Sequence, residues 1–180
     1  RFEISLEEGD QKLIYVIERK EWHYWNGTRW VADKGNAKVT RLFIGMLHRL
    51  IAEVKKADWR HFHKTDERAA NGHRRGTLQY LKGSLNRGKI MSAIDMATNW
   101  KSFRISSSEL DTDPWIVSCA NGDLHLKEGK LLDPDPSNLI TKQLNVIYNP
   151  EAECPRWDQF IDEVTQGNKE LALYIQKFFG

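Results

Sequence analysis

Residues 13–32 are dense in β-branched and aromatic side chains. The run "LIYVI" is followed by "WHYWNGTRWV", which sets Asn26-Gly27 between two tryptophan-bearing arms. Asn-Gly tolerates the positive φ angles of a tight turn, so the pattern predicts a β-hairpin in which Trp22, Tyr24, Trp25 and Trp30 supply cross-strand aromatic area. An exposed platform of this kind stacks bases, but packing against neighbouring helices is the commoner fate of such rings. From Thr40 the period changes. Phe43, Met46, Leu47, Leu50 and Val54 recur at the three-and-four spacing of one helical face, with Arg41, His48, Arg49, Lys55 and Lys56 largely elsewhere, which predicts a helix of about four turns.

The segment "DWRHFHKTDERAANGHRRG" at 58–76 interrupts that periodicity and reads as a basic loop with a short helix. "TLQYLK" reads as the end of a helix, with Gly83 stopping it and Ser84 opening the next, whose apolar stripe is Ile90, Ala93, Ile94 and Ala97. Further on, Trp115, Ile116 and Val117 read as a buried strand and Asn121-Gly122 as a turn. Leu124 and Leu126 then alternate with polar residues, which predicts a small antiparallel hairpin. "LITKQLNVIY" at 139–148 reads as another strand. Pro155 opens a helix whose apolar face is Trp157, Phe160, Ile161 and Val164, stopped by Gly167. Asn168 caps a last helix with Leu171, Tyr174, Ile175 and Phe178 inward. The fold class expected is α+β: an N-terminal β-hairpin, central basic helices, a small antiparallel β element and two C-terminal helices.

At 180 residues the chain has room for one domain with a sizeable core, and a single domain over 1–180 is the expectation. Hydrophobic residues make up 40% and charged residues 29%, as in an ordinary globular protein, and no apolar run approaches the ~20 residues that cross a bilayer. The first residue is Arg1 and no apolar signal segment follows, which reads as a fragment of a longer protein. Cys119 and Cys154 form no Cys-x-x-Cys pair, so neither a zinc ribbon nor a disulfide framework is encoded. A reducing, cytoplasmic setting is expected, and the Asn26-Gly27-Thr28 glycosylation triplet carries little weight against it.

Charge is uneven. Residues 41–104 hold 14 Lys and Arg against 5 Asp and Glu, a net of +9, whereas 105–180 hold 6 against 13, a net of −7, and 1–40 are balanced at 7 of each. A concentrated positive segment is what phosphate contact requires, although a solvated helix face or an acidic partner surface produces the same pattern. Inside it lies "GSLNRGKI" at 83–90, close to a phosphate-binding loop of Gly, four residues, Gly, Lys and Ser or Thr. Ile90 stands where the metal-holding hydroxyl belongs, and "TLQYLK" lacks the Val and Ile run of the buried strand that precedes such a loop. The helix–turn–helix reading is therefore preferred. His61, His63 and His73 have no Cys or carboxylate at a recognised metal spacing and read as solvated or phosphate-facing, so no metal is expected. The nearby carboxylates, Glu53, Asp58, Asp66, Glu67 and Asp95, form no recognisable two-metal set, which ranks an enzymatic reading last.

Residues 114–160 carry a resemblance through the order of their elements. These are Asn121 to Leu126, Thr141-Lys142, Tyr148 to Pro150, and Cys154 to Trp157, with the upstream "WHYWNGTRWVAD" as an opening. The chain resembles the domain immediately before the superfamily 3 helicase in phage and plasmid primases, including the satellite-phage type, and in the poxvirus primase-helicase. The resemblance implies a polymerising primase module upstream and a hexameric ATPase downstream. ATP and magnesium then belong to that downstream motor, no cofactor to this segment, and no catalytic residue is carried over. The expected role is an accessory domain that links primase to helicase and contacts DNA, single-stranded or forked, through Lys55, Lys56, Arg60, Arg68, Arg74, Arg75, Arg87 and Lys89. The full-length protein is expected to be a homo-hexamer without membrane contact. The alternative is an oligomerisation collar, in which the basic face of one protomer meets the acidic face of the next without touching DNA.

Overall fold

The aromatic-rich segment folds as its pattern predicts. In the computed structural model, which describes residues 12–58 and 67–179, strand β1 (Leu13–Val16) pairs antiparallel with β2 (Glu21–Trp25), and β2 with β3 (Trp30–Ala32). The β2–β3 turn spans four residues: the Asn26 side-chain oxygen accepts hydrogen bonds from the Thr28 and Arg29 amides, both at 2.9 Å, and Gly27 takes φ 102°. A short β4 (Arg104–Ile105) adds in parallel beside β1, giving the order β3-β2-β1-β4.

Register divides this sheet into two faces. Tyr15 lies opposite Trp22 and Leu13 opposite Tyr24, so these four side chains share one face, against which helices pack. Ile14 and Val16 point the other way, where Ile105, Leu110 and Leu139 cover them. Trp22 is 1% exposed and sits edge-on to Phe103 at 5.4 Å between ring centres.

The first helix, α1 (Ala37–Lys56), starts three residues ahead of the predicted Thr40. Its start is fixed by a buried carboxylate: Asp33 accepts hydrogen bonds from the Lys38 and Val39 amides, each at 2.8 Å. Such a cap satisfies first-turn donors that have no partner within the helix. Val39, Met46, Leu47 and Ile51 are buried along α1. Most of these join Ile90, Ile94 and Ala97 of α3 (Arg87–Ala97) in one cluster under the sheet.

Between them α2 (Glu67–Gly83) corrects the expectation of a basic loop with a short helix, because its 17 residues are one continuous helix. The periodicity was faint for a physical reason. The half-buried and buried positions are Ala69, Ala70, Arg74, Thr77, Leu78 and Leu81, so small and polar groups occupy much of the strip that would otherwise signal a helix. Gly72 and Gly76 further depress helix propensity, and packing on α1 overrides them. At the joint, Ser84 closes α2 by donating its hydroxyl to the Tyr80 carbonyl at 2.9 Å. Asn86, rather than the expected Ser84, opens α3 by accepting the Gly88 amide at 2.9 Å.

The expected second hairpin is present and gains a third strand. Strands β5 (Ile116–Cys119), β6 (Gly122–His125) and β7 (Lys130–Leu132) lie in that order, all antiparallel. The strand expected at 139–148 is not a ladder. Leu144 donates to Ser118 at 2.8 Å and Ala120 donates to Val146 at 2.9 Å, so two residues supply the pair of bonds that a parallel ladder draws from one. Asp111 anchors this segment. Burial by itself would raise its pKa, but the Thr141 hydroxyl at 2.6 Å and the Thr141 and Lys142 amides at 2.7 and 3.3 Å outweigh that, leaving its pKa below the usual carboxylate value.

Glu18 ties the end of β1 to the segment after β4. Its carboxylate accepts the Ser107 amide at 2.7 Å and the Ser106 hydroxyl at 2.9 Å, and these bonds, the Ser107 amide foremost, lower its pKa from 4.5 to about 2. A depressed folded-state pKa contributes stability that is present above about pH 4.5 and is lost as pH falls toward 2. Denaturant titrations of Glu18→Gln should therefore show a shallower loss of stability between those pH values than the parent chain. An identical acid limb would show that the clasp does not matter.

Two compact units divide at Val146. The second unit contains α4 (Pro155–Thr165) and α5 (Lys169–Phe179), joined through Gln166 and Gly167 in left-handed conformations. Asn168 caps α5 as expected, accepting the Glu170 and Leu171 amides at 3.1 Å each. The apolar face of α5 corrects the expectation of inward side chains, since Tyr174 is 65% and Phe178 73% exposed, and on α4 Trp157 is 53% exposed. Two helices of 11 residues cannot enclose a core between themselves. Among the described residues, no helix is long and apolar enough to cross a membrane.

Candidate nucleic-acid interface

Helices α1, α2 and α3 carry most of the cations of the basic segment. Lys55 and Lys56 lie exposed in the last turn of α1, where positive charge complements the helix dipole. Arg74 is placed differently. It is half-buried, and its Nη2 donates to the Lys55 carbonyl at 2.7 Å, closing the C-terminal end of α1 from the side of α2. This bond ties Arg74 to the packing of α2 on α1. Replacing Arg74 with alanine should lower stability by about 1 kcal/mol, the size of a charge-assisted hydrogen bond at a partly solvated site. Equilibrium unfolding measures this, and a variant as stable as the parent would show that the cap contributes nothing.

Arg68 and Arg75 are exposed on α2, seven residues apart, and Lys82 follows seven further on. Seven residues are nearly two turns, so the three form a row about 21 Å long. Sequence reading passed over Lys82. The spacing that marks it becomes meaningful only once 67–83 is known to be helical. Asn71 and Gln79 lie beside the row and line with it a shallow depression of about 920 Å³. Glu67 is the sole acidic residue of α2.

Arg87 and Lys89 stand exposed in the first turn of α3. The Lys89 Nζ lies 3.8 Å from where a Cβ on Gly83 would be, so this ammonium folds back over the C-terminal end of α2, whose terminal carbonyls attract it. Arg60 lies outside the described residues, as do His61 and His63, while His73 is exposed on α2. The structure thus brings Lys55 and Lys56 to the helix end that Arg74 closes, sets Arg68, Arg75 and Lys82 in line, and folds Lys89 against the α2–α3 joint.

The stretch 83–90 is that joint. A helix leads into Gly83, Asn86 caps the next helix, and Ile90 is a buried member of the main cluster. The amide nest of a phosphate loop is built on a strand–turn–helix, which this is not. The aromatic hairpin is likewise absorbed by packing: Trp22 and Trp30 are buried, Tyr24 and Trp25 half-buried, and Lys38 lies over the Tyr24 ring at 5.5 Å.

The motif residues of 114–160 hold local structure together. Thr141 and Lys142 bind Asp111, and Asn121-Gly122 turns β5 into β6. The Cys154 carbonyl accepts the Trp157 amide at 2.8 Å, which starts α4 with Pro155 at its first position. This order of elements matches a known domain. A family profile described as "D5 N terminal like" covers residues 3–166, from before β1 into the turn after α4, and no curated protein matches the chain. The chain belongs to this D5 N terminal like family, the domain that precedes the superfamily 3 helicase in phage and poxvirus D5-type primase-helicases.

Proposed function

We propose that this domain is a non-catalytic accessory element of a DNA-replication primase-helicase, standing between primer synthesis and the hexameric motor and holding DNA through its basic helical face. The observation that carries the reading is the row of exposed cations on α2, with further exposed cations on α1 and α3, in a member of this family. Lys55, Lys56, Arg68, Arg75, Arg87 and Lys89 neutralise phosphates, with Lys82 added and Arg60 completing the set, while Arg74 braces the α1–α2 contact. Contacts of this kind give affinity without sequence preference. ATP and magnesium are handled by the neighbouring motor, and the partners are DNA and the adjacent primase and helicase modules.

Charge reversal tests this on the 180-residue chain. The Arg75→Glu, Arg87→Glu, Lys89→Glu triple variant should bind a forked DNA more than tenfold more weakly than the parent at low salt. Equal affinity at every salt concentration would overturn the DNA role.

A second reading, the collar, is favoured by the −7 of residues 105–180 set against the +9 of the middle segment. Head-to-tail pairing of unlike faces closes rings. Mass measurement of the full-length protein across salt concentrations distinguishes it, since assembly through these faces would dissolve as salt rises.

A further inference from the structure

We infer that α2 is a groove-entering helix that docks in the major groove of duplex DNA, so that the domain's preferred ligand is the double-stranded arm of a fork. The inference rests on the DNA-contact reading above and adds which form of DNA the α2 row takes.

Four properties of α2 point to a duplex. The helix is unusually proud of the surface: Ala70 is the one buried residue among its 17, so it is held along a narrow strip and presents most of its circumference outward. A helix is about 10–12 Å across and the B-form major groove about 12 Å wide, so a helix held this way fits the groove lengthwise. The cationic row is also straight and evenly spaced. Arg68, Arg75 and Lys82 recur every seven residues, roughly 10.5 Å apart, on one rigid line. A flexible single strand requires no such line.

Two exposed amides lie between the cations. Asn71 and Gln79 are exposed beside the row and share its depression. Asn and Gln are suited to the paired donors and acceptors on base edges, which a major groove presents to an entering helix. Stacking groups, by contrast, are off the row. Single-strand binders place aromatic rings along the path of the bases. The exposed ring of α2, Tyr80, is about 140° around the helix from Arg75, and His73 about 160°.

Gly72, next to the row, agrees with close approach. A Cβ there would meet nothing within 4 Å among the described residues, so no packing among them requires glycine at a mid-helix position where it costs about 0.5–1 kcal/mol relative to alanine.

The test uses the whole 180-residue chain, a 20-base-pair duplex and each of its single strands, with binding followed by fluorescence anisotropy from 50 to 200 mM salt. The parent should bind the duplex at least tenfold more tightly than either strand. Arg68→Glu, Arg75→Glu, Lys82→Glu together should remove three phosphate contacts, each worth about 0.9 in the slope of log affinity against log salt, which amounts to about 40-fold over this salt range. Asn71→Ala with Gln79→Ala should weaken duplex binding fivefold or more while leaving the slope unchanged, because amides release no counterions. All five positions are exposed, and circular dichroism should report parental helix content in both variants.

Equal or tighter single-strand binding that depends on the same three cations would overturn the duplex inference and leave the DNA role standing. An amide variant that binds duplex like the parent would overturn groove entry. Binding indifferent to the triple reversal, or self-association lost with it in place of DNA binding, would overturn this inference and remove α2 from the DNA role.

Discussion

Trp22→Ala should destabilise the protein by about 4 kcal/mol, the range for emptying a large aromatic site. Trp22 is 1% exposed, lies 5.3 Å from Tyr15 and 5.4 Å from Phe103 by ring centres, and sits where the first sheet meets α1 and α3. In a unit of this size that shift lowers the melting temperature by roughly 10 °C. Its indole N–H finds no acceptor among the described residues. Trp22→Phe therefore gives up packing volume but no hydrogen bond, and should cost no more than about half as much as the alanine change. If both substitutions cost the same, the indole does not fill the site as described.

Gly122→Ala should destabilise by about 3 kcal/mol, combining backbone strain with a direct collision. Gly122 begins β6 at φ 151°, a region that L side chains rarely adopt. A Cβ built there would lie 2.6 Å from the Leu132 carbonyl oxygen and 3.0 Å from the Leu131 side chain. Neither neighbour yields easily, because Leu131 and Leu132 are in β7, which is hydrogen-bonded to the same strand. The Asn-Gly of this hairpin is thus required by strand-to-strand distance as well as by the turn. Equilibrium unfolding measures the loss; a variant within 0.5 kcal/mol of the parent, about the spread of ordinary surface changes, would contradict the geometry.

Both sites were visible in the sequence as elements, though not in their energetic detail. The tryptophan-rich hairpin declared itself through alternation around Asn26-Gly27, and the residues that pattern marks as aromatic are those that pack. The second hairpin did so through Asn121-Gly122. The helix of Glu67–Gly83 was the opposite case, since its buried strip is built from Ala69, Ala70, Arg74 and Thr77 as well as leucines. A half-buried arginine is invisible to a rule that looks for apolar period, so Arg74 reads as one more surface cation although its guanidinium closes a neighbouring helix. Lys82 was missed for the same reason, because without the helix its distance from Arg75 carries no meaning. The segment 139–148 has the composition of a strand, yet its bonds to β5 come from Leu144 and Val146 rather than from one residue, and side-chain patterning does not encode that offset. On α5 the apolar period is legible in the sequence, while Leu171, Tyr174 and Phe178, expected inward, are exposed. An amphipathic stripe states which side is apolar and leaves open how much of it two short helices can hide.

The proposal that the basic helices hold DNA is tested most directly by the salt dependence of binding by the unaltered chain. Seven exposed cations, Lys55, Lys56, Arg68, Arg75, Lys82, Arg87 and Lys89, lie on α1, α2 and α3. Engaging half of them on a forked DNA predicts a plot of log affinity against log salt that falls with a slope of about −3 or steeper. A slope indistinguishable from zero, or no binding at 50 mM salt, would contradict it.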